Sequence, residues 1–282
     1  MTKRLNNILI KSAEDTDLRE THLSIQIYLG GFSFCVYNPT TNEHIAFQRF
    51  EFEEKQKTPE KLLKEVQAIF EENKLLNQSY KKVIVLHQNE LSTIVPHEYF
   101  DEGNLKDYLK QTVKVLPIDY ISYDSLTYCN ANVVYIPFVN INNYLFQKYG
   151  GFDFYHSSTV LIDLLQEKQK ASENHKVYIN IHQNCFELIV FNKQELLLVN
   201  NFDFQTAEDF IYYILFSLEQ LEQDPNTIDV ELLGDIEKES ELYAIAYKYI
   251  RNVKFYNNMQ LSKEYDSISK HSNFILLNHS TK

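Results

Sequence analysis

Glycine is the residue this sequence most conspicuously lacks. Its 282 residues include only six: Gly30, Gly31, Gly103, Gly150, Gly151 and Gly234. At an average usage of about 7%, roughly twenty would be expected. Loops that cradle phosphate depend on glycine, because the backbone must approach the anion without a Cβ in the way. Six glycines leave little material for several such loops. Tryptophan is absent, and there are two methionines and six prolines. The cysteines are Cys35, Cys129 and Cys185, an odd number with no CxxC spacing. This excludes a disulfide framework and a zinc site of that type. Cys35 and Cys185 fall in alternating apolar segments, where cysteine behaves as a small core residue. No apolar run approaches the roughly 18–20 residues of a membrane-spanning helix. The opening MTKRLNNILIKSAEDTD is basic at first, but it has neither an apolar stretch of signal-peptide length nor a small-residue cleavage site. The expectation is a cytoplasmic protein with no membrane span.

Positive charge is also in deficit. Lysine and arginine number 27 against 39 acidic residues, for a net charge of −12. Nucleic-acid binders gather cations on one face to displace counterions, and this chain repels phosphate on average. The densest basic clusters, Lys81-Lys82 and Lys168-Gln169-Lys170, are short and read as solvated surface. What is present is a foldable composition, 44% hydrophobic and 23% charged. The length suits one large domain or two smaller ones.

The chain repeats itself. Leu23–Asn38 reads LSIQIYLGGFSFCVYN, and Val177–Asn192 reads VYINIHQNCFELIVFN, aligned without a gap at a shift of 154. Ile25 falls on Ile179, Ile27 on Ile181, Phe32 on Phe186, Val36 on Val190 and Asn38 on Asn192. A third strand follows in each copy, ending Phe50-Glu51-Phe52 and Phe202-Asp203-Phe204 at a shift of 152. Thr58-Pro59-Glu60-Lys61 then opens a helix with an apolar face of Leu62, Leu63, Val66, Ile69 and Phe70. Its counterpart starts at Thr206-Ala207-Glu208-Asp209 and carries Phe210, Ile211, Ile214, Leu215 and Leu218. This second helix is more apolar all round, so burial between layers is expected. Strands follow at Val83–Leu86 and Val230–Leu233, helices near Asn104–Val113 and Glu239–Ile250, then strands near Tyr120–Tyr123 and Val253–Tyr256. Each copy therefore reads β-β-β-α-β-α-β. Between the copies, Asn132–Pro137 predicts a strand, Asn140–Tyr149 a helix ended by Gly150-Gly151, Phe152–His156 a strand and Val160–Gln169 a helix. Ala171-Ser172-Glu173-Asn174 reads as a polar junction. The expected organisation is an arm at 1–20, which is either disordered or an added edge strand. A first half follows over 21–170 with a β-α-β-α extension, and a second half over 175–282.

Two ribonuclease H-like halves in tandem resemble the actin-like ATPase superfamily. The strand–helix–Gly-Gly–strand–helix segment is similar to that of the bacterial cell-division actin homologue and of pilus-assembly actin-like proteins. The chain also resembles a bacterial family of actin-like fold with no assigned activity. The resemblance implies a tandem α/β fold of mixed sheets flanked by helices. It also implies nucleotide motifs, and there the sequence departs. In that superfamily an Asp-x-Gly turn ends the first strand of each half, its aspartate helping to hold metal and its N–H groups phosphate. The matching positions are Gln26-Ile27-Tyr28 and Asn180-Ile181-His182, with amides in place of carboxylates and rings in place of glycines. The adenosine-side turn, Leu232-Leu233-Gly234-Asp235, keeps one glycine and replaces the other with an acid. Gly30-Gly31, between the first two strands, reads as a hairpin turn rather than an anion cradle, and Asn184-Cys185 stands in its place in the second copy.

The positions Gln26, Tyr28, Gly30, Gly31, Asn180, His182, Gly234 and Asp235 are expected to line a cleft that no longer holds nucleotide or metal. No catalytic residue and no cofactor are assigned. A nuclease is excluded on the same ground, because its first-strand aspartate is missing from both copies. His87-Gln88-Asn89-Glu90 with His97-Glu98 lacks HExxH spacing and reads as a solvated strand-end loop. The expected function is a non-catalytic protein-interaction or scaffold module with a protein partner, able also to form a homo-oligomer. Its binding surfaces would be the cleft between the halves and exposed aromatic edges. The competing expectation is a divergent ATP-dependent phosphotransferase or ATPase, in which Asp163, Asp203, Asp209 or Asp235 has taken over a metal or base role.

Overall fold

The computed structural model describes residues 2–9, 17–170, 174–257 and 271–279, the first of these segments by its backbone only. Residues 10–16 of the expected arm and 171–173 of the expected junction lie outside the described residues. Contacts divide the chain into two compact units. One comprises residues 1–164 and 275–282, the other 165–274.

The first unit is built on a six-stranded sheet. A hairpin of β2 (His22–Tyr28) and β3 (Gly31–Asn38) continues antiparallel into β4 (Glu43–Phe52). Next to β2, β5 (Lys82–His87) and then β9 (Asp153–His156) run parallel. The expected arm supplies an edge strand, β1 (Thr2–Leu9), antiparallel to β4. The strand order is β1-β4-β3-β2-β5-β9. Helix α1 (Pro59–Glu72) starts where Thr58 accepts a hydrogen bond from the Lys61 N–H at 3.4 Å, and it buries Leu62, Val66, Ile69 and Phe70. Helix α3 (Val139–Tyr149) packs with α1 on the same core and ends at Gly150, whose φ of +79° suits glycine.

The second unit repeats this plan. Its sheet is β12-β11-β10-β13-β14, made of β10 (His175–His182), β11 (Cys185–Asn192), β12 (Glu195–Asp203), β13 (Asp229–Gly234) and β14 (Asn252–Phe255). Helices α5 (Ala207–Gln220) and α6 (Glu241–Tyr249) pack on one core. The repeat extends to irregularities. The second and third strands slip register between Val36 and Tyr37 in one copy, and between Val190 and Phe191 in the other, 154 residues on. The Phe52 N–H donates to the Gly30 carbonyl just as Phe204 does to Asn184.

Three expectations need correction in the first unit and one in the second. The helix near Asn104–Val113 is only α2 (Leu105–Leu109), and the strand near Tyr120–Tyr123 is β7 (Ser122–Ser125), outside the main sheet. The segment His87–Glu98 is not all loop, because β6 (Ser92–Pro96) lies within it. These strands, with β8 (Ala131–Tyr135), make a separate antiparallel sheet ordered β6-β8-β7. The β-α-β continuation of the main sheet is therefore β5-α3-β9, so the Gly-Gly segment belongs to the core plan and residues 92–135 are the insertion. Short strands with half-buried faces carry little periodicity, which is why pattern alone misassigned them. In the second unit, α5 is not covered all round: Tyr212 is 60% and Phe216 46% exposed. Helix α4 (Ser157–Gln169) carries the chain from the first unit into the second.

Candidate functional site

In the first unit the strand-one positions point into a closed turn. Gln26 is buried and donates through Nε2 to Gln88 Oε1 at 2.6 Å, while the Gln88 N–H donates to the Ile27 carbonyl at 2.9 Å. The two-residue turn between β2 and β3 is Leu29-Gly30, and its carbonyls accept from Gln56 and Phe52 at 2.7 and 2.9 Å. Tyr28 faces Gly31 across the pair, and a Cβ at Gly31 would lie 2.5 Å from both the Tyr28 Oη and the Phe50 carbonyl oxygen. Neither Gly30 nor Gly31 takes a positive φ. Glycine is needed at 31 because the phenol ring and a neighbouring strand press on the backbone.

In the second unit Asn180 is buried on β10, opposite Glu187 of β11 and Leu233 of β13. His182 ends β10 and pairs with Cys185, whose thiol donates to the His182 carbonyl at 3.3 Å. In this copy Gln183, not Asn184, carries the positive φ of the turn, at +48°. Gly234 has a φ of +83°, and a Cβ there would stand 2.0 Å from the Ile181 carbonyl oxygen. Three successive N–H groups of this turn are spent inside the chain. Gly234 donates to the His271 carbonyl at 2.9 Å, Asp235 to Ile181 at 2.7 Å, and Ile236 to Gly234 at 3.1 Å. The same register places His87 at the Gly234 position and Gln88 at that of Asp235.

The other carboxylates are held in local structure. Asp163 accepts from the Thr127 N–H at 2.8 Å and the Thr127 hydroxyl at 2.6 Å. Asp209 closes a capping box with Thr206, and the N–H donors of Gln205 and Thr206 hold its carboxyl below the usual range. Asp203 ends the exposed strand β12 opposite Cys185.

The histidines expected in a solvated loop are separated. His97 is exposed, with Nε2 3.2 Å from Asn132 Oδ1. His87 is fully buried; Nδ1 accepts from the Phe138 N–H at 3.3 Å, so Nε2 carries the proton it donates to Asn142 Oδ1 at 2.9 Å. Its strand neighbour His156 is bound in the same way, between the Ser158 N–H at 3.2 Å and the Asn89 carbonyl at 3.1 Å. Burial pushes His87 down to about 3 and His156 down to about 4. Beneath them lies Asp124, whose carboxyl accepts from the His156 N–H, the Thr159 hydroxyl and the Tyr135 phenol. Burial pushes it up to about 6. This network joins the insertion to the main sheet. Sequence reading missed it because its members lie up to 72 residues apart (87 to 159), and the one local signal is a strand ending in histidine before Ser157-Ser158.

Comparison with known proteins agrees with this architecture. Residues 11–253 match the model of the family described as Protein of unknown function (DUF3822). The chain belongs to that family. A search of curated proteins finds no match. Among solved structures, a Bacteroides thetaiotaomicron protein with actin-like ATPase fold and unknown function superposes with a TM-score of 0.81 at 23% identity, covering 94% of this chain and 97% of its own. The PilM–PilN type IV pilus biogenesis complex matches with a TM-score of 0.58 at 10% identity, over 94% of this chain and 99% of that one. This family member therefore has the actin-like ATPase fold. Among the described residues, no helix is long and apolar enough to cross a membrane.

Proposed function

We propose that this protein is a non-catalytic member of the actin-like fold, a protein-interaction or scaffold module that has lost nucleotide hydrolysis. The observation that carries the reading is the turn after β13. Its Gly234, Asp235 and Ile236 N–H groups, which a nucleotide-binding turn would hold open, all donate within the chain. Gln26 and Asn180 support it, since an amide does not supply the negative charge that favours Mg²⁺. Of the carboxylates a divergent phosphotransferase could use, Asp163 and Asp209 are committed to Thr127 and to the α5 cap, and that reading would require substitution of Asp203 or Asp235 to abolish a Mg²⁺-dependent turnover.

Interaction is supported by the outer face of α5. Tyr212 and Phe216, one turn apart, stack at 6.0 Å and are exposed, with Glu208 and Glu219 exposed about one turn to either side. Exposed aromatic clusters mark association sites more often than chance exposure does. A fold neighbour occurs in a complex with a protein partner, as the name of the PilM–PilN complex states. The acidic flanks favour a partner segment that carries cations.

Calorimetry with ATP and ADP in the presence of Mg²⁺ tests the loss of the nucleotide site, with thermal shift as a check. The expected result is no heat and no stabilisation at about 1 mM nucleotide, where a ligand bound a hundredfold more tightly would add about 2.7 kcal/mol. Micromolar binding would overturn the reading. In crosslinking from native cells, a Tyr212→Ser/Phe216→Ser variant is expected to fold normally and to lose the wild-type adduct. An adduct unchanged by both substitutions would rule this face out as the contact.

A further inference from the structure

A cavity of about 320 Å³ opens on the first unit, between residues 78–83 and residues 148–153. It lies at the N-terminal end of β5, the opposite end of that strand from Gln88 and the nucleotide-position turn. About five residues of strand, some ~17 Å, separate the two places. In a chain of net charge −12, the cavity is lined by three lysines, Lys81, Lys82 and Lys148, against one aspartate, Asp153.

The cations are poorly neutralised. Lys82 lies 3.5 Å from Asp153 and Lys81 3.4 Å from Glu20, both long pairs between exposed side chains and worth little. Lys148 has no carboxylate partner among the described residues. Its Nζ is 3.2 Å from Asn77 Oδ1 and 5.7 Å from the centre of the Tyr144 ring. The wall behind them is rigid. Tyr80 Oη donates to the Leu75 carbonyl at 2.6 Å and Tyr149 Oη to the Leu76 carbonyl at 2.7 Å. Burial raises both phenols, so they stay protonated in those bonds. Gly150, with its positive φ, turns the chain out of α3, and Gly151 lines the cavity with no side chain.

We infer that this cavity binds a small phosphomonoester, with Lys82 and Lys148 on its dianionic group and Gln78 and Ser79 on its neutral polar part. Two ammonium groups suit a compact dianion as point charges. A planar carboxylate would be matched by the arginine fork, and no arginine lines this cavity. Its volume is of the order that holds one small molecule, since ligand pockets run from about 300 Å³ upward. The three lysines make the cavity a local positive patch, and it attracts a small anion at short range against the net negative charge of the chain.

The test is calorimetry on the full chain with glycerol 3-phosphate, glycerol and inorganic phosphate in parallel. The expected result is a dissociation constant for glycerol 3-phosphate below about 1 mM, weaker binding of inorganic phosphate and none of glycerol. Lys82→Gln and Lys148→Gln are each expected to weaken binding by about fivefold or more and to leave the melting temperature unchanged, because both side chains reach into solvent. Lys64→Gln, an exposed lysine on α1 away from the cavity, should bind as wild type. The inference is overturned if no heat is seen up to about 10 mM ester. It is equally overturned if both lysine variants bind normally, or if inorganic phosphate binds as tightly as the ester. None of these outcomes bears on the nucleotide reading, which concerns the other end of β5.

Discussion

Asp124 accepts three hydrogen bonds and sees almost no water, and its proton opposes the acid response that the buried histidines of the first unit set. Burial raises its carboxyl to about 6, while it lowers His87 to about 3 and His156 to about 4. The two kinds of group act in opposite directions. Below about pH 6.5 the unfolded chain takes a proton on each histidine and the folded chain does not, so acid favours unfolding. The folded chain takes a proton on Asp124 near pH 6, and the unfolded chain takes it only near 3.9, so this group gains stability as pH falls through 6. Near pH 5 these three groups together bind more protons when unfolded than when folded, and the buried His44 adds to the same side, so acid destabilises the first unit. In Asp124→Asn the amide oxygen can accept from His156 and Thr159 while the NH₂ donates to Tyr135. The folded-state uptake disappears, and stability falls more steeply between pH 7 and pH 5 than in the wild type. Urea midpoints at pH 7, 6 and 5 check this. An unchanged slope would mean that Asp124 does not titrate in that window.

Helix starts are where local sequence speaks most clearly, and the two copies differ there in strength. Thr206 and Asp209 exchange bonds in both directions, and the carboxylate of Asp209 reaches the N–H groups of Gln205 and Thr206, each at 3.1 Å. The Thr58 hydroxyl oxygen caps one N–H, that of Lys61, at 3.4 Å, and no aspartate stands three residues on to return the bond. Thr206→Ala is expected to cost about 1–2 kcal/mol and Thr58→Ala about 0.5 kcal/mol, in chemical denaturation of the full chain. Both starts were legible because Thr-Pro and Thr-x-x-Asp act within one turn. The two hairpins were legible because alternation and the repeat agreed. The insertion was not, since β7 has four residues and α2 five, and a pattern needs more length than that to declare a period. The candidate site divides in the same way. The amides and rings at positions 26, 28, 180 and 182 could be read directly. What Gly31 is needed for could not, because the pressing atoms include the Phe50 carbonyl on the neighbouring strand β4, 19 residues on in the sequence. Lys81-Lys82 read as solvated surface because Lys148, 66 residues on, meets them only through the fold of α3.

At the scale of the whole molecule, the first unit is discontinuous in sequence. Helix α7 (Phe274–His279) begins at the last residue of the second unit, and from Ile275 onward the chain belongs to the first. Ile275, Leu276 and Leu277 are buried, and the Leu277 carbonyl lies 2.9 Å from His44 Nε2 on β4. Burial lowers the pKa of His44, so near neutral pH the ring is uncharged and Nε2 carries the proton for that bond. The last residues therefore complete the unit that the first residues began. Removing 275–282 exposes the apolar surface these three side chains cover, and at about 1.5–3 kcal/mol each the loss is of the order of 5 kcal/mol. It leaves untouched the His271 carbonyl that accepts from Gly234, and the Tyr256–Phe274 ring contact in the second unit. Hydrogen exchange on the truncated chain is expected to rise along β4 around His44, while β10 and β11 keep their protection. If instead β10 and β11 lose protection first and β4 does not change, α7 does not serve as a part of the first core.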